Sequence, residues 1–454
     1  MVFIGTIPRR SVNLPPGSLW ALISSTLSGS LVQGPAIEAF YRKFEKYLGS
    51  GLDHELHVIG AETGRSAFEL ALRSLDLPEG CEIVFPTFTF PVMPMVAKLL
   101  GYRPVFCDVD PQTFNSGPEQ IEPLLNERTG AILATHLFGR PCPIREITAL
   151  ADRHGVKLVE DCAHALGVRV DGRSVGTFGD IGMFSFAEGK NMPCMGGGAL
   201  AIRSDEDYAR AQALIAEAET PAPAKMRKLG TSVWIHWLVT RPLIFGLTAY
   251  QILRQKQRKG EALMDSAVGN QLLAKYEKSD PRIRRFANLQ ARIGLKQLDR
   301  IDAFNAGAKR NAEILTEAMG EVPHVQAPPM DGEHIYVYYP LRVDPEKRDD
   351  LRHYLLREGV DTKTTDMSAC SVLDAFREGD EAAGQTTESH ILEICVYPVL
   401  SARQMRRVGL AIRTWALRQG TPKALDPGAR DPQSETAATT TSSKPPVSER
   451  RQGA

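Results

Sequence analysis

The sequence predicts an α/β protein: a mainly parallel sheet with helices on both faces, followed by a smaller α/β unit. Three observations carry that expectation. From residue 81 to 202, short apolar, β-branched runs alternate with helical stretches, the pattern of strands joined by crossover helices. The clearest of those helices, "IREITALADRHG", closes on a glycine, the residue that best accepts the backbone of a helix terminus. A chain of 454 residues, 43% hydrophobic and 24% charged, is also long enough for two or three soluble domains.

In chain order, "HVIGAETGRSAFELALRSLDLPEG" reads as a glycine-bearing loop running into an amphipathic helix, with Phe68, Leu70, Ala71, Leu72 and Leu75 on its apolar side. Thr63-Gly64-Arg65-Ser66 at its start fits a plain helix cap and a phosphate cradle equally well. The strands are "CEIVFP", "RPVFCDVD", "GAILATHLFG", "VKLVED", "DIGMFSF" and "GGGALAI". In such sheets the chemistry gathers outside the carboxyl ends of the strands. Residues 282–319 read as one or two long amphipathic helices. "HIYVYYPLRVD", "RDDLRHYLLREGV" and "SARQMRRVGLAIRTWAL" then read as strand, helix and helix. The expected organisation is a large domain over 1–219, a helical insertion over 220–281, connecting helices and a small C-terminal domain over 282–420, and a tail over 421–454. That tail is too polar and too rich in Pro, Ser and Thr to bury a core, and is expected to be disordered.

Composition removes several classes of function. Lys plus Arg and Asp plus Glu each count 54, so the overall balance offers no electrostatic footprint for nucleic acid. The seven cysteines are scattered and never form a CxxC pair, which argues against a disulfide framework or a metal site. The N-terminus lacks the apolar core and cleavage site of a signal peptide, so the expected location is the cytoplasm. Within the insertion, "TSVWIHWLVTRPLIFGLTAYQILRQKQRKG" is apolar and aromatic but interrupted by His236, Arg241 and Pro242, with Arg254, Lys256, Arg258 and Lys259 after it. Arg and Pro argue against a spanning helix. Residues 231–259 therefore read either as a peripheral membrane contact, at the inner membrane face, or as helices packed on the protein or a partner subunit.

The chemistry concentrates in "FSFAEGKNMPCMGGGAL", where Lys190 is the one cation. About thirty residues upstream, Asp161 in "VKLVEDCAHALG" should stand at the carboxyl end of a buried strand. A carboxylate there, beside Cys162, Ala163 and Leu166, is costly unless it meets a cation, such as the protonated nitrogen of a pyridine ring. An Asp at a strand end, a Ser-containing strand end, a lysine loop and a Gly-bearing helix start together suit pyridoxal 5'-phosphate. The amine bonds the cofactor's aldehyde, the carboxylate keeps the ring nitrogen protonated, and the helix start takes the phosphate.

These stretches, with "LVQGPAIEAFYRKFEKYLG", "FPTFTFPVMPMVAKLLGYRPVFCDVDPQTFN", "SVGTFGDIGMFSFAEGKN", "ANLQARIGLKQLDRID" and "YPVLSARQMRRV", resemble the DegT/DnrJ/EryC1/StrS family of pyridoxal-phosphate-dependent nucleotide-sugar aminotransferases. They run in family order over roughly residues 10 to 420. The resemblance implies PLP-dependent transferase fold type I, with a large, mainly parallel sheet domain of the seven-stranded type and a smaller C-terminal domain. It further implies homodimers with shared active sites, a nucleotide-linked keto sugar as substrate and an amino-acid donor, usually glutamate. By position, Lys190 would be the Schiff-base lysine, Asp161 the pyridinium partner, Phe90 the ring-stacking aromatic, Ser185 a phosphate contact and His164 the residue near the ring. Gly64, Arg65 and Ser66 would form the cradle.

The chain departs from the family where Arg65 replaces a usual Thr, where Arg282, Ile283, Arg284 and Arg285 replace a Tyr-Asn-Tyr-Arg-like stretch, and where "TTDMSAC" replaces a His-Tyr-containing substrate loop. Transamination has two rivals, the first of which these departures keep open. One is a catalytically silent regulatory or scaffolding relative. The other is a dehydratase using the pyridoxamine form, against which the retention of Lys190 argues.

Overall fold

The computed structural model describes residues 5–261, 263, 269–277, 283–377 and 387–420. Arg282 and the tail from 421 to 454 lie outside the described residues. Seven strands form the central sheet: β1 His57–Ala61, β2 Glu82–Pro86, β3 Arg103–Cys107, β4 Thr129–Thr135, β5 Lys157–Asp161, β6 Ile181–Ser185 and β7 Gly198–Ile202. Their spatial order is β1-β7-β6-β5-β4-β2-β3. Strands β3, β2, β4, β5 and β6 pair in parallel, and β7 runs antiparallel to both β6 and β1. The expected α/β sheet is thus present, with one antiparallel strand and one strand the sequence reading had assigned to a loop, β1.

The central strands are apolar throughout because both faces are covered. On β4, Ala131 and Leu133 join the core on one face, and Ile132 and Ala134 join the core on the other. The first face is covered by α3 Gly64–Ser74, whose Ala67, Phe68, Leu70 and Ala71 are fully buried. On the second face lie Phe40 and Phe44 of α2 Ala36–Leu48 and Ile144, Ile147 and Leu150 of α4 Ile144–His154. Each such side chain contributes about 1.5–3 kcal/mol by leaving water. As expected, α4 ends at Gly155, with φ +65.

The insertion is helical where described: α6 Pro223–Val239, α7 Pro242–Leu247, α8 Ala249–Arg258 and α9 Gly269–Glu277, following α5 Asp205–Glu217. It packs on the protein's own surface, with Met226 and Val233 of α6 in a core shared with Leu22 of α1 Ser18–Leu27. No helix among the described residues is long and apolar enough to cross a membrane.

Two helices follow, α10 Asn288–Leu298 and α11 Ile301–Met319. The expected helical stretch starts six residues later than residue 282. Arg284 and Arg285 are instead extended and form bridges to Glu219 and Ala61. The C-terminal α/β unit packs α11, α12 Pro345–Arg357 and α13 Ala402–Leu417 around a three-stranded sheet, β8 Val325–Gln326, β9 Tyr339–Val343 and β10 Ile391–Ile394. Residues 334–338, expected in its main strand, precede β9.

Candidate active site

The carboxyl ends of β4, β5 and β6, the start of α3 and the loop after β6 surround one cavity of about 420 Å³. Of the residues singled out from sequence, Lys190, Asp161, His164, Ser185, Phe90, Gly64 and Arg65 line it. Ser66 does not. Its N–H donates to the Thr63 hydroxyl at 3.1 Å, which makes Thr63 the cap of α3 and leaves Thr63 on the cavity wall.

Asp161 ends β5 and is 6% exposed. Its Oδ1 accepts the Ala163 N–H at 2.9 Å. Burial raises its pKa; the Ala163 N–H, the Lys190 charge and His136 oppose that rise only in part. The carboxylate is therefore short of positive charge, as a group awaiting a cationic partner would be. His164 accepts the Phe138 N–H on Nδ1 at 3.2 Å, so its proton sits on Nε2. Burial, with Lys190 and Lys363 nearby, drives its pKa well below 6.5 and keeps the ring neutral.

Lys190 lies in a turn held by its N–H on the Ala187 carbonyl at 3.0 Å. Burial lowers its amine from 10.5 to about 8, against the pull of Asp161 and Asp366, with Lys363 adding to the lowering. A neutral amine is what attack on an aldehyde requires. Reaction of the cofactor-free protein with pyridoxal phosphate should therefore quicken about tenfold between pH 7 and pH 9, as the neutral fraction rises; stopped-flow absorbance checks this, and a flat profile would contradict it. The linkage has the same sign: between about 8 and 10.5 the unfolded chain holds a proton that the folded one has lost, so stability rises with pH across that window.

The glycines around Lys190 have a steric purpose. Gly196 and Gly197, at φ +83 and +109, turn the chain back into β7. A Cβ on Gly198 would lie 2.7 Å from the Gly64 Cα, and one on Gly64 would lie 2.8 Å from the Ser185 hydroxyl. The start of α3 is thus pressed against the end of β6, leaving a cradle of backbone N–H groups and a serine hydroxyl that any side chain at 64 would fill. Arg65 is exposed, and its guanidinium sits 5.4 Å from the ring centre of Tyr276 on α9. The unusual arginine therefore faces the insertion at the cavity rim and leaves the cradle open.

Two buried hydroxyls on the cavity wall, Thr89 Oγ1 and Thr135 Oγ1, have no hydrogen-bond partner. Unpaired buried polar atoms cost about 1–3 kcal/mol each unless a bound group satisfies them. With the under-compensated Asp161 and the open cradle, they make the cavity fit a flat, phosphate-bearing ring with a basic nitrogen. Pyridoxal phosphate is such a ring.

Sequence reasoning passed over several wall residues. Arg10 and Asp366 line the cavity and pair at 3.2 Å. Asp366 also meets Lys363 at 2.7 Å, which reaches Glu393 at 2.9 Å. Burial would raise the pKa of Asp366, but Lys363, Arg10 and Lys190 hold it below its ordinary value. Asp366 belongs to the "TTDMSAC" stretch noted above. Ser368 and Ala369 pair with Thr89 and Phe88 and so pin that stretch against Phe90. Arg10 arrives because Ile7 bridges Val360 and Arg9 holds both oxygens of Asp361 at 2.7 Å. Arg284, one of the residues that replace the family's Tyr-Asn-Tyr-Arg-like stretch, lies 3.8 Å from Glu62, and Arg285 donates to the carbonyls of Ile215 and Ala218.

Comparison with known proteins agrees with this geometry. The model of the DegT/DnrJ/EryC1/StrS aminotransferase family matches residues 19–233 and 282–413. The chain belongs to that family. The unmatched stretch between those two segments, 234–281, falls within the helical insertion. Among curated relatives, a UDP-N-acetyl-3-dehydro-alpha-D-glucosamine 3-aminotransferase of Acidithiobacillus ferrooxidans is 39% identical over 178 residues, covering 39% of this chain and 46% of that one, about half its length. A dTDP-3-amino-3,4,6-trideoxy-alpha-D-glucose transaminase of Streptomyces venezuelae is 26% identical over 86% of this chain and 90% of its own. The crystal structure of an aminotransferase from Streptoalloteichus hindustanus superposes with a TM-score of 0.67 at 25% identity, covering 90% of this chain and 98% of that one. The aminotransferase fold anticipated from the sequence is the fold observed.

Proposed function

We propose that this member of the family binds pyridoxal phosphate and moves an amino group from an amino acid, glutamate in the first instance, to the keto carbon of a nucleotide-linked deoxysugar. The observation that carries the reading is the convergence on one cavity of a lysine of lowered pKa, an under-compensated buried carboxylate and an open anion cradle. The bound cofactor supplies an electron sink for the carbon that loses its proton.

The chain's own groups do the rest. Gly64, Arg65 and Ser185 hold the phosphate by backbone N–H groups and a hydroxyl. Asp161 would keep the ring nitrogen protonated, and Phe90 and His164, on the cavity wall, would contact the ring. Once displaced from the cofactor, Lys190 would take the proton from the donor's α-carbon and deliver it two atoms away, on the far side of the donor's nitrogen, and in the second half it would run the same transfer in reverse. In the same reading the working unit is a homodimer in the cytoplasm. The seven cysteines, all buried and unpaired, fit a reducing compartment. The names of the relatives support a UDP- or dTDP-linked sugar. The test is a panel of UDP-, dTDP- and GDP-linked keto sugars with nitrogen-labelled glutamate. Label should appear in one amino sugar by mass spectrometry; its absence from every product would remove the reading.

A further inference from the structure

Beyond the cavity, a feature without an assigned role is the outer face made by α1 and α6. On α1, Leu19, Trp20, Ile23 and Leu27 are exposed, Trp20 by 66% and Leu27 by 81%. On α6, Ile235 and Leu238 are exposed by 54% and 45%. Leu19, Ile23, Leu27, Ile235 and Leu238, with Trp234, line an apolar groove of about 380 Å³ between the two helices. Isolated exposed leucines need no explanation, but a contiguous apolar face of this kind marks an interaction surface.

Charge selects the partner. Residues 11–37, which include all of α1, carry no ionisable side chain. Residues 220–260 carry eight lysines and arginines and no Asp or Glu, in a chain whose charges balance overall. Arg227 lines the groove itself, and Lys228 lies beside it with Thr231 and Ile235 in the adjoining depression. Farther along, Leu243, Leu247 and Ile252 are exposed on α7 and α8, ahead of Arg254, Lys256, Arg258 and Lys259. Apolar side chains bordered by cations, on a segment that carries no Asp or Glu of its own, match the interface of an anionic bilayer, where the first enter the headgroup region and the second meet lipid phosphates.

We propose that α1 and α6 form a peripheral membrane-binding face that inserts Trp20, Leu27, Ile235 and Leu238 among anionic headgroups, with Arg227 and Lys228 at its border. The face adjoins the active site. The next residue on α6, His236, hydrogen-bonds Glu188 at 2.9 Å, and Glu188 lines the cavity two residues before Lys190. Docking would hold the mouth of the cavity close to the bilayer plane. This inference goes beyond transamination and does not depend on it.

Flotation of the full-length protein with phosphatidylglycerol-containing vesicles, against pure phosphatidylcholine vesicles, tests it without reference to catalysis. The expected result is recovery with anionic vesicles only, falling as salt rises, with a blue shift of tryptophan emission. Arg227→Gln with Lys228→Gln should weaken partition roughly thirtyfold, and Trp20→Ser with Leu27→Ser at least about tenfold. All four positions are exposed, and an unchanged melting curve for each variant shows that it still folds. Equal recovery of wild type and variants, or no recovery with anionic vesicles, would overturn the proposal. So would sedimentation showing self-association that the same substitutions abolish, since the face would then belong to a second copy of the chain.

Discussion

Lys190→Ala should fold, bind pyridoxal phosphate only reversibly, and lose about 10³-fold or more of its transamination rate, because the same amine both bonds the cofactor and carries the proton. No other group in the cavity can replace it. His164 is held neutral with its Nδ1 already accepting a hydrogen bond, and the Lys363 amine is committed to Asp366 and Glu393. Loss of visible cofactor absorption on gel filtration, with the melting temperature of the cofactor-free protein unchanged, separates this from misfolding. Borohydride should attach the cofactor covalently to the wild type and not to the variant. A variant retaining a tenth of the wild-type rate would show that another base does the work.

The second large effect is expected at Asp161→Asn. The amide is nearly isosteric and can still accept the Ala163 N–H, but it cannot balance a protonated ring nitrogen. Breaking a buried charge pair in this way costs about 3–5 kcal/mol, which corresponds to a loss of roughly 10²–10⁴-fold in cofactor affinity and rate taken together. Titration calorimetry and single-turnover kinetics would divide that loss between binding and chemistry. A cofactor analogue methylated on the ring nitrogen, and so permanently cationic, should not recover wild-type affinity in the variant, since the missing negative charge is the protein's own. Wild-type affinity for the normal cofactor in Asp161→Asn would contradict the assignment.

The central sheet was legible because strands buried on both faces are written as unbroken apolar runs. Strand β1 was not, because it contains Gly60. The Cβ of any other residue there would lie 2.8 Å from the Phe286 ring and 3.0 Å from the Tyr41 hydroxyl, so packing demands the one residue that reads as a loop. Lys190 and Asp161 stood out because each departs sharply from its local surroundings. Arg10, Thr89, Thr135 and Asp366 did not, since each is ordinary in its own stretch and gains meaning only from folding. Arg10 and Asp366 are 356 positions apart and meet through the Ile7 and Val360 bridge. The helix expected from residue 282 begins at 288 because Arg284 and Arg285 are drawn into extended bridges with Glu219 and Ala61, contacts no local periodicity contains.

The measurement that bears most directly on the central claim is the visible absorption spectrum of the protein loaded with pyridoxal phosphate, before and after glutamate. Bleaching to the pyridoxamine form in the wild type, stoichiometric with release of the keto acid and absent in Lys190→Ala, is the predicted result. A protein that takes up no cofactor, or whose spectrum glutamate and other amino acids leave unchanged, would contradict the account and return the fold to a regulatory or scaffolding role.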